Sequence, residues 1–167
     1  MAKGSGAEAL GNQVVGNIGL YYVCYRLSRR GWNVMPTSRN ARGIDVLIYS
    51  QDAQRTHTLQ VKALSKANPV PLGTNLDRLF GDFFVISRHI LTNEPESFIL
   101  LPQEVRALAH RGVKEERVSY WLQPRDYAVD AYREAWDRIG SGLSIVEAPS
   151  NKQMQRTRPA QATKPRR

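Results

Sequence analysis

The stretch "RGIDVLIYSQDAQRTHTLQVKA" (residues 42–63) decides how the rest of the chain is read. It holds two runs with strand character, "GIDVLIYS" (43–50) and "THTLQVKAL" (56–64), joined by the short polar connection "QDAQR". Such spacing suits an antiparallel hairpin. Side chains alternate along a strand, so Gln60 and Lys62 share one face, while Leu59, Val61 and Ala63 point to the other, the core face. Asp45 opens the preceding strand just after Gly43, and in a hairpin its carboxylate is expected beside Gln60 and Lys62 at one end of the sheet. The rest of "IDVLIY" is apolar on both faces, and a carboxylate at the edge of a buried strand needs a partner.

An acid, an amide and an ammonium around one small volume suit phosphodiester hydrolysis. A hard cation such as Mg²⁺ takes one or two carboxylates together with waters and phosphate oxygens. It polarises the phosphate and acidifies a bound water, while a lysine stabilises the charge that develops. The plainer reading of the same residues is an Asp at a turn and the solvent-facing half of an amphipathic strand.

Working outward, the N-terminal side (about Ala7–Arg30) is free of proline and carries Val14, Ile18, Tyr21 and Tyr25 at helical spacing. Leu20, Val23 and Leu27 form a second apolar stripe, which predicts a helix packed in the interior. Its glycines at 11, 16 and 19 would permit close approach of a neighbouring backbone, and Gly31 supplies a stop signal. "GWNVMPT" (31–37) is the first strand of a three-strand meander. On the C-terminal side, "SKANPVPLGTNLDR" reads as a loop with a short helical turn. "DFFVISR" (82–88) and "SFILLP" (97–102) read as strands, 103–110 as a helix, and "DYAVDAYREAWDRIG" (126–140) as a helix ending at Gly140.

This helix and meander, with "GID" on the second strand and "QVK" on the third, resembles the PD-(D/E)XK nuclease superfamily, to which restriction endonucleases and Holliday-junction resolvases belong. The resemblance covers roughly residues 7 to 101. It implies an α/β fold with a restriction endonuclease-like core, a central mixed β-sheet flanked by helices, and a metal-dependent nuclease activity, on DNA by expectation. It also implies roles for matching positions: Asp45, Gln60 and Lys62 as the catalytic set, with Asp45, Gln60 and the backbone carbonyl of Val61 as ligands for Mg²⁺ or Mn²⁺. Many members carry a further glutamate on the first helix, expected here at position 20, where this chain has Leu20. Glu8 is the acidic residue available before Asp45, and Asn17 or Gln13 offers an amide instead. Without that ligand, the same fold would serve as a catalytically degenerate module that binds nucleic acid or a protein partner. Members often pair to cut two strands, so the resemblance allows a homodimer.

The charge is consistent with a polyanionic partner once it is located. Of the net +9, six charges come from basic residues at 151–167, where no acid occurs, which leaves +3 on the first 150 residues. Between Arg26 and Lys66 eight basic residues face Asp45 and Asp52, and Arg39, Arg42 and Lys66 are candidates for the nucleic-acid backbone. Residues 1–147 are expected to form the nuclease-like domain and 148–167 a basic, disordered tail. No apolar run is long enough to cross a bilayer and no secretory layout opens the chain, so a cytoplasmic protein is expected. His57, His89 and His110 lack metal-ligand spacing, and the single cysteine, Cys24, excludes an intramolecular disulfide. The glycines of "GNQVVGNIG" follow no strand and do not end in Gly-Lys-Ser/Thr, which excludes a nucleotide-binding loop.

Overall fold

The computed structural model describes residues 10–37 and 43–143. Glu8, Arg39, Arg42 and the basic tail lie outside the described residues.

The central element is β3 (Thr56–Ala63), which is paired on both sides. Towards the N-terminus of the chain, β1 (Asn33–Pro36) and β2 (Val46–Tyr49) complete the expected antiparallel meander. On its other side β3 pairs in parallel with β5 (Phe83–Arg88), which continues antiparallel into β6 (Glu96–Leu100). The sheet is therefore mixed, in the order β1-β2-β3-β5-β6. A parallel pair needs a crossover. Here it runs through β4 (Val70–Gly73) and a turn of 3₁₀ helix at Leu76–Arg78.

The alternation of β5 separates two cores. Phe83 and Val85 face one side, where Val23 and Leu27 of α1 (Asn12–Ser28) pack with Trp32, Val46, Ile48, Leu59 and Trp136. Phe84 and Ile86 face the other, against Val70, Leu72, Phe98, Leu100 and Leu122. This second face is covered by α2 (Pro102–Leu108) and by a small sheet in the order β4-β8-β7, with β7 at His110–Lys114 and β8 at Arg117–Leu122. The second sheet has no counterpart in the sequence pattern. Its strands are short and interrupted by glycine, proline and charge, and pairing rather than local preference makes them strands.

Two further expectations are corrected. On α1, Val15, Gly19, Val23 and Leu27 are buried, whereas Val14, Tyr21 and Tyr25 are exposed. The helix thus buries one narrow face, and its tyrosines lie over the surface beside Arg26 and Arg29. The expected helix over 126–140 is only α3 (Pro124–Tyr127), followed by turns and a 3₁₀ turn at Trp136–Arg138. Instead of coiling, the chain runs beside the outer edge of β6: Ile99 N–H donates to Tyr132 O, and Glu134 N–H donates to Ser97 O. An unpaired edge strand offers hydrogen bonds that a surface helix could not satisfy, and the left-handed backbone of Glu134 ends any helix there.

Of the three glycines noted in α1, only Gly19 permits a close approach. A Cβ placed there would overlap the Cβ of Ala63 on β3, whereas one at Gly16 would meet nothing within 4 Å. Gly19→Ala is expected to cost about 1–3 kcal/mol through overpacking. Gly16→Ala is expected to gain up to about 1 kcal/mol from helix propensity. Urea denaturation of the two variants checks the pair; equal destabilisation would show that the helix is not held against β3 through Gly19.

Candidate active site

The β2–β3 ladder ends in an irregularity that positions Asp45. Val46 stands opposite Leu59, and the N–H of Asp45 also donates to Leu59 O at 2.9 Å. Two residues of one strand therefore face one of the other, which is a β-bulge, a device that re-aims a side chain. The other side of the segment is tied to β1, with Thr37 N–H donating to Asp45 O and the Thr37 hydroxyl to Ile44 O. So held, Asp45 turns its carboxylate along the edge of β3, where Oδ2 accepts a 2.7 Å hydrogen bond from the N–H of Val61.

That bond places the carboxylate between Gln60 and Lys62 in the chain. In an extended strand a residue's N–H and C=O leave by the same edge, so the Val61 carbonyl projects from the edge that Asp45 occupies. Burial pushes the Asp45 carboxyl up from its ordinary value, against the opposing pull of the Val61 N–H and of the Lys62 charge. Gln60 is buried, and among the described residues its Oε1 is the buried side-chain oxygen that lacks a hydrogen-bond partner. Leaving such an atom unsatisfied is costly.

The three residues do not open onto one volume. Asp45 lines a cavity of about 200 Å³ on the α1 side, together with Asn17, Leu20, Val61 and Ala63. Gln60 and Lys62 line a larger cavity of about 540 Å³ on the opposite face, between β3 and its own crossover. The bulge is the reason: it takes Asp45 out of the regular alternation that would have set it on the Gln60 side. Of the alternatives to a helix glutamate, Asn17 reaches the Asp45 cavity and Leu20 lies in its wall.

Other candidates fare differently. Lys66 is exposed in the loop after β3. Asp82, an acid just before β5, serves the structure, its Oδ2 accepting from both the N–H and the hydroxyl of Thr58. Arg78, which sequence reasoning passed over, lines the larger cavity, and its guanidinium has no partner among the described residues. Its signal lay in the sequence as a cation inside the crossover, but only the fold brings it near Lys62.

No protein-family model matches the chain, and no curated protein matches it. Among solved structures the chain is similar to a bacterial homing endonuclease, I-Ssp6803I, with a TM-score of 0.53 at 19% sequence identity, over 77% of this chain and 92% of that one. The fold is restriction endonuclease-like. A second solved structure, the Holliday junction resolvase Hjc of Archaeoglobus fulgidus, aligns over 65% of this chain and 90% of its own at 13% identity, with a TM-score of 0.43. In the restriction endonuclease-like chain described here, no helix is long and apolar enough to cross a membrane among the described residues.

The available donor set suits a hard cation. Among the described residues no three His, Cys, Asp or Glu side chains cluster to hold a metal. On the Asp45 side one carboxylate and a backbone carbonyl are oxygen donors only, the kind that Mg²⁺ accepts when water and phosphate complete its shell, whereas the Gln60 oxygen opens onto the other cavity.

The raised carboxyl of Asp45 has a sign that can be tested without metal. Its stabilising contribution is complete while it is protonated and is lost as pH rises through the raised folded value. In chelator, Asp45→Asn, which keeps an acceptor for Val61 N–H, should melt a few degrees above wild type at about pH 7. The gap should close at about pH 3, where the wild-type carboxyl is neutral. A less stable asparagine variant at neutral pH would contradict a buried, charge-strained carboxylate.

Proposed function

We propose that this protein is a divalent-cation-dependent nuclease that hydrolyses phosphodiester bonds in DNA. The observation that carries the proposal is the Asp45 carboxylate, fixed at the end of β2 by the Val61 N–H and within the field of the Lys62 charge. In this reading Asp45 and the Val61 carbonyl would hold the cation, and Mg²⁺, or Mn²⁺ in its place, would supply a polarised phosphate and an acidified water; Gln60, expected as a further ligand, opens onto the opposite cavity and is left out of this set. The bulge presents the carboxylate without any rearrangement of the strand, so its geometry is prepaid in folding. Lys62, whose charge acts on that carboxylate across the strand, would orient the attacking water and stabilise the negative charge that grows on the phosphate oxygens. As the bond from water oxygen to phosphorus forms, the bond from phosphorus to the leaving sugar oxygen breaks; the attacking water gives up its proton to solvent and the leaving oxygen takes one from solvent. Lys66, and Arg39 and Arg42 outside the described residues, would neutralise backbone phosphates. We place this activity in the cytoplasm, with a homodimer as the arrangement that would allow both strands of a duplex to be cut.

A second reading is favoured by Leu20. The wall of the Asp45 cavity carries a leucine where another carboxylate would strengthen cation binding, and an amide is a weaker ligand than an acid. The fold would then bind nucleic acid, or a protein partner, without cutting it.

Cleavage of labelled DNA and RNA by the full chain, in Mg²⁺, in Mn²⁺ and in chelator, separates the two. A nuclease should cut only with metal, and Lys62→Ala should lose about 10²–10³-fold in rate with its melting temperature retained. Binding that weakens with salt, with no cutting under any metal, would establish the degenerate module instead.

A further inference from the structure

The larger cavity has features that cation binding and core packing do not use. It lies between β3 and the crossover to β5, and its volume of about 540 Å³ falls within the range of small-molecule sites. Leu72 and Leu79 are buried and form its apolar wall, while Phe80 stands at the cavity 42% exposed. Its charged lining residues are both cations, Lys62 and Arg78, and no acid lines it among the described residues. The Arg78 guanidinium has no partner among those residues, unlike Arg26, Arg88, Arg133 and Arg138, which are paired with carboxylates.

We infer that this cavity receives an unpaired nucleotide of the nucleic-acid substrate, its base against Phe80 and the leucines and its phosphate between Arg78 and Lys62. The inference rests on the nucleic-acid reading above and narrows its substrate class. An apolar wall with an exposed aromatic ring suits a flat heteroaromatic group, and two cations with no acid among the described lining residues suit a phosphate. Within a duplex both faces of a base are stacked on neighbours and cannot meet a protein ring. The nucleotide that enters must therefore be single-stranded, bulged or extruded. Lys62 belongs to both surroundings, as it lines this cavity and its charge acts on Asp45 across the strand. The cavity would thus hold a nucleotide next to the phosphate that is cut.

The test uses the full chain and a DNA duplex carrying 2-aminopurine at a single unpaired position, with the fully paired duplex as control, in chelator. Wild type should bind the unpaired probe about 10-fold more tightly than the paired one, the scale of one base stacked on an aromatic ring. The 2-aminopurine emission should change on binding. Phe80→Ala should erase the preference, Phe80→Leu should leave only a part of it, and Arg78→Ala should weaken binding of the unpaired probe. Equal affinity for the two probes, or a preference that survives Phe80→Ala in a variant whose melting temperature is retained, would overturn the inference. If such a protein still cut DNA in Mg²⁺ in a Lys62-dependent way, only the pocket would fall. A Phe80-dependent preference without metal-dependent cutting would support the pocket and overturn the nuclease reading.

Discussion

One hydrogen bond, from the N–H of Val61 to the carboxylate of Asp45, governs how this end of the sheet is built. The ladder between β2 and β3 stops at Val46 and Leu59, and beyond that point the edge of β3 still requires partners for its backbone groups. A strand that continued regularly would satisfy them with main chain. Here a side-chain oxygen does so, which is feasible because the bulge shifts Asp45 by one step and tethers it to β1 through Thr37. The cost is a carboxylate held partly out of water, visible in its raised pKa, and the return is a charged oxygen kept at a fixed position beside Lys62.

Much of this was legible in the sequence because it depends on period-two alternation. The pairing of Gln60 with Lys62 on one face, the opposition of Leu59 and Val61, and the position of Asp45 at the head of its strand all follow from spacing. The turn of Asp45 towards the α1 side was not legible, since a bulge depends on which backbone N–H groups compete for one carbonyl. The second sheet was also hidden: "VPLG" and "HRGVK" gain strand geometry only by lying against β8. On α1, Tyr21 and Tyr25 have helical spacing and apolar rings, but their hydroxyls, and for Tyr25 its neighbour Arg29, suit the surface better than the core. The segment at 126–140 has helical periodicity, yet the needs of the β6 edge prevailed.

Because β3 is central, its two faces look into different surroundings. Asp45 and Val61 belong with α1, whose approach is set by Gly19 against Ala63. Gln60 and Lys62 belong with the crossover, whose wall is made by Leu72 and Leu79. Substitutions in the crossover can therefore reshape one cavity without moving the backbone that fixes the carboxylate in the other. Lys62 remains common to both, through its position on one face and its field on the other.

The segment that follows α3 has a further consequence for how these molecules meet one another. By pairing with Ser97 and Ile99 it fills hydrogen-bonding positions on the outer side of β6, one of the two margins of the main sheet. The other margin, β1, is only four residues long and ends at Pro36, which has no N–H to offer. Neither margin presents a long open ladder to a passing strand, so the main sheet carries its own protection against edge-to-edge aggregation.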